Sequence, residues 1–185
     1  MRLFVALAPS ETALDDLEAA CAPLRAGAGD LRWTGRELRH ITLAFLGEVG
    51  EERLPALLPR LSRAAGRHQA FGLSIAGGGA FPGPARASVL WSGLAGDRKA
   101  LGELAMSVAA GARRAGAPAL DEGRRYRPHV TLARCRVPAD LRGVVAELSS
   151  YAGPPWTAGE IHLVRSTLGA QPRYESIGAW PLRTG

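Results

Sequence analysis

The chain has 185 residues, 46% of them hydrophobic and 22% charged, and a formal net charge of +6 to which 22 arginines and a single lysine contribute. This balance fits an ordinary globular protein, either one compact domain or two small lobes sharing a core. No stretch approaches the ~18 uninterrupted apolar residues of a membrane span, and Pro9-Ser10 arrive too soon after Met1 for a signal peptide, so a cytoplasmic address is expected.

In chain order, Leu3 to Leu7 reads as a strand. Ser10 is a good N-cap, and Leu14, Leu17 and Cys21 then recur at i, i+3 and i+7, the mark of a helix with one buried stripe. A strand through His40-Ile41-Thr42-Leu43 follows, then an amphipathic helix on Leu54, Leu57, Leu58 and Leu61, then a closing strand near Phe71 to Ala76. Gly77-Gly78-Gly79-Ala80-Phe81-Pro82-Gly83-Pro84 is dense in residues that end regular structure and is expected to link two halves.

After that break the order repeats. Leu90 and Leu94 match Leu3 and Leu7, Asp97 matches Ser10, and Leu101, Leu104 and Val108 match Leu14, Leu17 and Cys21, all 87 residues on. His129-Val130-Thr131-Leu132 returns 89 residues after the first tetrapeptide, and Leu141, Val144, Val145 and Leu148 repeat the second helix at 87. Connections of unequal length absorb the difference at little cost. A strand near Glu160 to Ser166 closes the second half, and one near Tyr174 to Trp180 ends the chain. The expectation is one bilobal domain over 1–185, with halves at about 1–80 and 85–170 and a final strand at 174–180. Each half reads strand, helix, motif strand, helix, strand, which predicts an α+β pair of lobes with helices on one face of each sheet.

The repeated tetrapeptides carry the chemistry. Side chains alternate along a strand, so His40 and Thr42 share a polar face while Ile41, Leu43 and Phe45 take the apolar one. The same holds for His129 and Thr131 against Val130 and Leu132, although Arg134 then falls on the nominally buried face. Two such strands facing each other gather two imidazoles and two hydroxyls. Near neutral pH one imidazole can take a proton from an attacking water while the other protonates a leaving oxygen, and the threonines can donate to phosphate oxygens. Arg124, Arg125, Arg127, Arg134 and Arg136 crowd the second motif and favour an anion there.

HExxH, CxxC and a carboxylate cluster are missing from the sequence, as are the Rossmann and Walker glycine fingerprints, so neither a metal nor a nucleotide cofactor is expected. Cys21 and Cys135 read as reduced and structural, and His68 and His162, which lie outside the repeat, as structural or surface residues.

With these motifs the chain resembles the 2H phosphoesterase superfamily, and within it the bacterial and archaeal RNA 2′,3′-cyclic phosphodiesterases, historically called 2′-5′ RNA ligases. Arg2-Leu3-Phe4-Val5-Ala6, Arg32-Trp33, His40 to Gly47, Gly79-Ala80-Phe81-Pro82, Arg127 to Arg134 and Leu163-Val164-Arg165-Ser166 carry the resemblance. It implies two antiparallel sheets with a groove between them, no cofactor and no metal, His40 as proton donor, His129 as proton acceptor, and Thr42 and Thr131 on the phosphate. The implied reaction opens an RNA 2′,3′-cyclic phosphate to a 2′-phosphomonoester, with weak 2′-5′ ligation as its reverse. Arg134, Arg127, Phe45 and Tyr126 complete the expected substrate-binding set, and Phe45, Phe81 and Tyr126 are candidate stacking surfaces for a terminal base. The expected partner is RNA with a cyclic phosphate end, tRNA fragments included, and the expected state a monomer. Two other readings stand beside this one: a non-catalytic RNA-end-binding module, and a cyclic phosphodiesterase acting on a small nucleotide.

Overall fold

The computed structural model describes residues 1–118, 125–167, 169 and 172–185. Strand β1 (Arg2–Leu7) leads into helix α1 (Glu11–Gly27), whose N-cap Ser10 accepts from the Ala13 N–H at 3.2 Å. The short β2 (Leu31–Trp33) precedes the first motif strand β3 (Ile41–Glu48) and helix α2 (Leu54–Ala65). Next come β4 (Phe71–Phe81), β5 (Ala87–Gly96) and α3 (Arg98–Arg114), capped by Asp97, which accepts from the Ala100 N–H at 2.9 Å. The second motif strand β6 (Val130–Ala139), helix α4 (Arg142–Leu148), and strands β7 (Trp156–Ala158), β8 (Glu160–Thr167) and β9 (Arg173–Pro181) complete the chain. The repeated leucines behave as their spacing predicts: Leu17, Leu57, Leu61, Leu101 and Leu104 are wholly buried, each contributing roughly 2 kcal/mol.

All described strand pairings are antiparallel, in the order β7-β4-β5-β6-β3-β1-β8-β9. The two expected sheets are therefore joined, and the joint is the single pair Ile41 and Val130. Beyond it β3 and β6 part, and β2 takes over the vacated edge of β6. One wing is β3-β1-β8-β9 and the other β6-β5-β4-β7. Each wing borrows from the other half of the sequence. Strand β4 pairs with β5, and β8 pairs with β1. Helix α1 packs on β4, while α3 packs on β3.

The glycine run is not a linker. Strand β4 continues through it to Phe81, with an irregularity between Ala76 and Gly79. Glycine is needed here because neighbours approach closely: a Cβ on Gly78 would lie 2.4 Å from the Leu148 Cβ, and one on Gly79 would lie 2.2 Å from the Trp91 ring. Among the described residues no helix is long and apolar enough to cross a membrane. Cys21 and Cys135 are free thiols.

Candidate active site

Ile41 and Val130 point into the core and are fully buried, as are or nearly are Leu43 and Leu132. Their neighbours along the strands therefore face the opposite side, away from the helices. Because the pair is antiparallel, His40 stands at the register position of Thr131, and Thr42 at that of His129. Opposed residues in such a ladder have Cβ atoms about 5 Å apart at closest pairing. The four motif side chains thus stand on one face at the joint, with His129 near enough for its charge to lower the His40 pKa.

Both imidazoles are oriented alike. His40 Nδ1 lies 2.7 Å from the Leu38 carbonyl, and His129 Nδ1 lies 2.7 Å from the Arg127 carbonyl. A carbonyl only accepts, so each Nδ1 carries the hydrogen and each Nε2 is left to exchange protons. His40 Nε2 is 3.0 Å from Thr42 Oγ1, whereas His129 Nε2 has no hydrogen-bond partner among the described residues. Burial lowers the pKa of both groups below the ordinary imidazole value. The charges of His129 and Arg134 lower His40 further, and Arg134 also lowers His129. Each carbonyl contact at Nδ1 acts in the opposite direction.

A matching pair of β-bulges sets what else faces the groove. Ala6 pairs with Thr42 and Val5 with Ala44, so Leu43 is the extra residue on β3. Trp91 pairs with Thr131 and Leu90 with Ala133, so Leu132 is the extra residue on β6. Each bulge reverses the alternation. Phe45 consequently leaves the apolar face expected for it, pairs with Phe4 on the histidine side and is 41% exposed. Arg134, expected on the buried face, is turned to the groove side opposite Val89, is exposed, and has no carboxylate partner among the described residues. Phe45 and Arg134 occupy equivalent places in the two halves.

Aromatic rings wall each histidine. Phe4 lies 4.7 Å and Tyr174 5.3 Å from the His40 ring, and Phe81 lies 5.0 Å and Trp91 6.1 Å from the His129 ring. Arg127 is exposed and sets its guanidinium over Phe81, 5.8 Å from the ring centre. Tyr126, expected among the stacking surfaces, donates its hydroxyl to the Thr42 carbonyl at 2.9 Å and ties the second motif to the first. Burial pushes its phenol pKa up. Of the arginines around the second motif, Arg136 pairs with Asp30 at 3.7 Å, Arg125 is exposed, and Arg124 lies outside the described residues.

Sequence reasoning left Phe4, Trp91 and Tyr174 out of the site. A signal for the first two was available, since Phe4 and Trp91 are separated by the repeat offset of 87 and sit between buried positions of β1 and β5. Tyr174 has no counterpart in the repeat. His68 bonds Ser107 at 2.8 Å between the helices; His162 bonds Ser176 at 3.2 Å and pairs with Ala6, which pairs with Thr42, so it stands on the face of Thr42 two strands away. Among the described residues no group of three or more His, Cys, Asp or Glu could hold a metal ion.

The sequence profile of the 2′-5′ RNA ligase superfamily matches residues 13–170. The chain belongs to this superfamily. Among similar proteins, the RNA 2′,3′-cyclic phosphodiesterase of Geobacillus stearothermophilus is 33% identical over 156 residues, which is 81% of this chain but 47% of that protein. The chain thus spans about half the length of that relative. The RNA 2′,3′-cyclic phosphodiesterase of Archaeoglobus fulgidus is 31% identical over 169 residues, covering 91% of this chain and 92% of that one. Among solved superfamily structures, E. coli LigT without ligand superposes with a TM-score of 0.77 at 26% identity, over 98% of this chain and 96% of LigT. LigT has also been crystallised with 3′-AMP, and that form superposes at 0.73 over the same shares at the same identity.

Proposed function

We propose that this chain is an RNA 2′,3′-cyclic phosphodiesterase that opens the terminal cyclic phosphate to a 2′-phosphomonoester by acid–base catalysis between His40 and His129. The observation that carries the reading is the pair of imidazoles, each with Nδ1–H fixed on a backbone carbonyl and Nε2 directed to one groove. Sequence similarity to two proteins named for this activity supports the substrate class.

In the proposed step a water oxygen bonds to phosphorus as the bond from phosphorus to O3′ breaks. His129 Nε2, which has no hydrogen-bond partner among the described residues, takes the water proton, and His40 gives its Nε2 proton to O3′. The histidines finish with their protonation states exchanged, and solvent restores them. Thr42 and Thr131 hydroxyls and the Arg134 guanidinium donate to the non-bridging oxygens, where negative charge collects. A lowered pKa suits His129, which must be neutral to accept from water, and a phosphodiester anion arriving beside His40 favours the charged form that the donor needs. Phe45 and Tyr174, exposed beside His40, offer faces for the terminal base. Ligation to a 5′-hydroxyl in place of water would be the reverse reaction. The same reading has the chain working as one bilobal monomer, with tRNA fragments among its substrates.

The test is incubation with a short RNA ending in a 2′,3′-cyclic phosphate, in the presence of chelator, with 2′- and 3′-phosphate products resolved. The expected product is the 2′-phosphate, and His40→Ala and His129→Ala should each lower turnover roughly a hundred-fold or more while RNA-end binding persists. A 3′-phosphate product would mean that the bond to O2′ breaks instead, with O2′ taking the proton, and would refute the step as written. Activity retained in either variant would remove the two-histidine mechanism, and binding without turnover would make the chain an end-binding module.

A further inference from the structure

Helices α2 and α3 run antiparallel on the outer side of the β3 wing. Arg60 approaches Gly111 at one end of their contact, and His68 bonds Ser107 at the other. Between them lies a cavity of about 580 Å³. Ala64, Ala110 and Gly111 lie along it, small residues that let the helices approach and leave room above them. Its sides carry Arg60, Arg63, Arg67, Arg114, His68 and Ser107. The buried face of β3 separates this cavity from His40 and Thr42, so it is not the groove described above.

Four guanidinium groups meet one carboxylate here, that of Glu103, and Glu103 lies 3.9 Å from Lys99. Elsewhere Arg25, Arg36, Arg136 and Arg165 each hold a carboxylate. Among the described residues Arg60, Arg63, Arg67 and Arg114 hold none. Complementing the negative helix C-terminus accounts for Arg63 and Arg114, which sit in the last turns of α2 and α3. It does not account for Arg60, half-buried in mid-helix, or for Arg67 beyond the end of α2. Like charges gathered in a concave site repel one another and focus positive potential outward, and a bound anion relieves both effects. The guanidinium fork matches phosphate oxygens, and His68 and Ser107 add short-range donors. The volume exceeds what one phosphate needs and falls in the range of small-ligand sites. Met106, 71% exposed at the rim, offers an apolar surface beside the charge.

We infer that this cavity is a second anion site, taking the phosphate groups of a nucleotide-sized ligand or of an RNA segment outside the catalytic groove.

The His68 imidazole reports on it directly. Its NMR resonances, assigned with His68→Gln, would be followed in the intact protein during titration with inorganic pyrophosphate, and separately with a short single-stranded RNA ending in a 3′-hydroxyl. Pyrophosphate should shift them saturably, and R60Q/R114Q should weaken that response at least about tenfold. If that variant does not fold, R63Q/R67Q alters two exposed positions and serves the same test. No saturable shift at His68, or an equal response in the variants, would overturn the proposal. A salt-sensitive response to RNA would identify the strand backbone as the source of the phosphate; a response to pyrophosphate alone would identify a free phosphate. Neither probe is turned over, so failure here leaves the proposed reaction untouched.

Discussion

Replacing Arg134 with glutamine tests the site at the point where the bulge on β6 matters most. Two effects are expected. The first is lost contact with the phosphate: a charge-assisted hydrogen bond contributes roughly 1.5–3 kcal/mol, and the exposure of Arg134 places it near the lower bound. A loss of about 1.5–2 kcal/mol corresponds to roughly a ten- to thirty-fold drop in kcat/KM. The second effect has a definite sign. The Arg134 charge disfavours protonation of both His40 and His129 in the free enzyme. Without it both pKa values rise, and both limbs of the bell-shaped pH profile of kcat/KM move to higher pH, since that profile reports the free enzyme. Arg134→Lys keeps the charge and loses the fork, so it should lower the rate while leaving the profile in place. The assay is kcat/KM against pH on a cyclic-ended RNA. A glutamine variant within about threefold of wild type, with an unmoved profile, would refute both the placement of Arg134 and its role.

Stability should also depend on the histidines: burial keeps His40 and His129 less basic folded than unfolded, so between their lowered pKa values and about 6.5 the unfolded chain binds more protons. Urea midpoints should therefore fall as pH drops through that window, and His40→Gln should flatten the fall; an unchanged slope would count against a buried neutral His40. Gly79→Ala places a methyl 2.2 Å from the Trp91 ring and should destabilise by roughly 2 kcal/mol in thermal unfolding, with slower turnover because Trp91 neighbours His129. A neutral result would mean β4 can move away from β5 at this point. Glu18→Gln removes the charge that faces the buried Arg39 guanidinium at 2.8 Å, at a cost of roughly 3 kcal/mol. The Glu18→Leu/Arg39→Met pair should cost less than that single change, and the reverse order would refute the ion-pair argument.

Much of the fold was legible because it follows local rules. Ser10 and Asp97 cap helices, and the leucines spaced three and four apart are buried, because a cap and a stripe need only neighbouring residues. Fixed alternation failed at two places, Phe45 and Arg134, and for one cause. A bulge adds a residue to one strand without any mark in its composition, and Leu43 and Leu132 look like ordinary core positions. Gly77 to Gly79 misled in the other direction. Glycine signals a turn, yet it also permits close approach within a strand, and only the positions of Leu148 and Trp91 distinguish the two. The exchange of β4, β8, α1 and α3 between wings lies beyond local reasoning, since it depends on pairings between residues far apart in the chain.

That exchange bears on the chemistry. A duplicated site whose halves folded separately would hold its histidines only as firmly as two lobes dock. Here β3 and β6 share one backbone pair at the site itself, Tyr126 ties the second motif to Thr42, and each wing contains a strand from the other half. The frame is nearly symmetric, but acid–base catalysis needs two unequal groups. The inequality comes from what the halves do not share. Position five after each motif histidine is Phe45 in one half and Arg134 in the other. His40 Nε2 lies against Thr42, while His129 Nε2 has no hydrogen-bond partner among the described residues. When His40 is charged, Thr42 Oγ1 can accept from its Nε2–H and aim that proton, which suits the acid of the proposed step. Burial and the Arg134 charge disfavour the protonated form of both imidazoles in the free enzyme, so in the proposed step it is these unequal contacts and the arriving phosphate, and not the Arg134 charge alone, that distinguish acid from base.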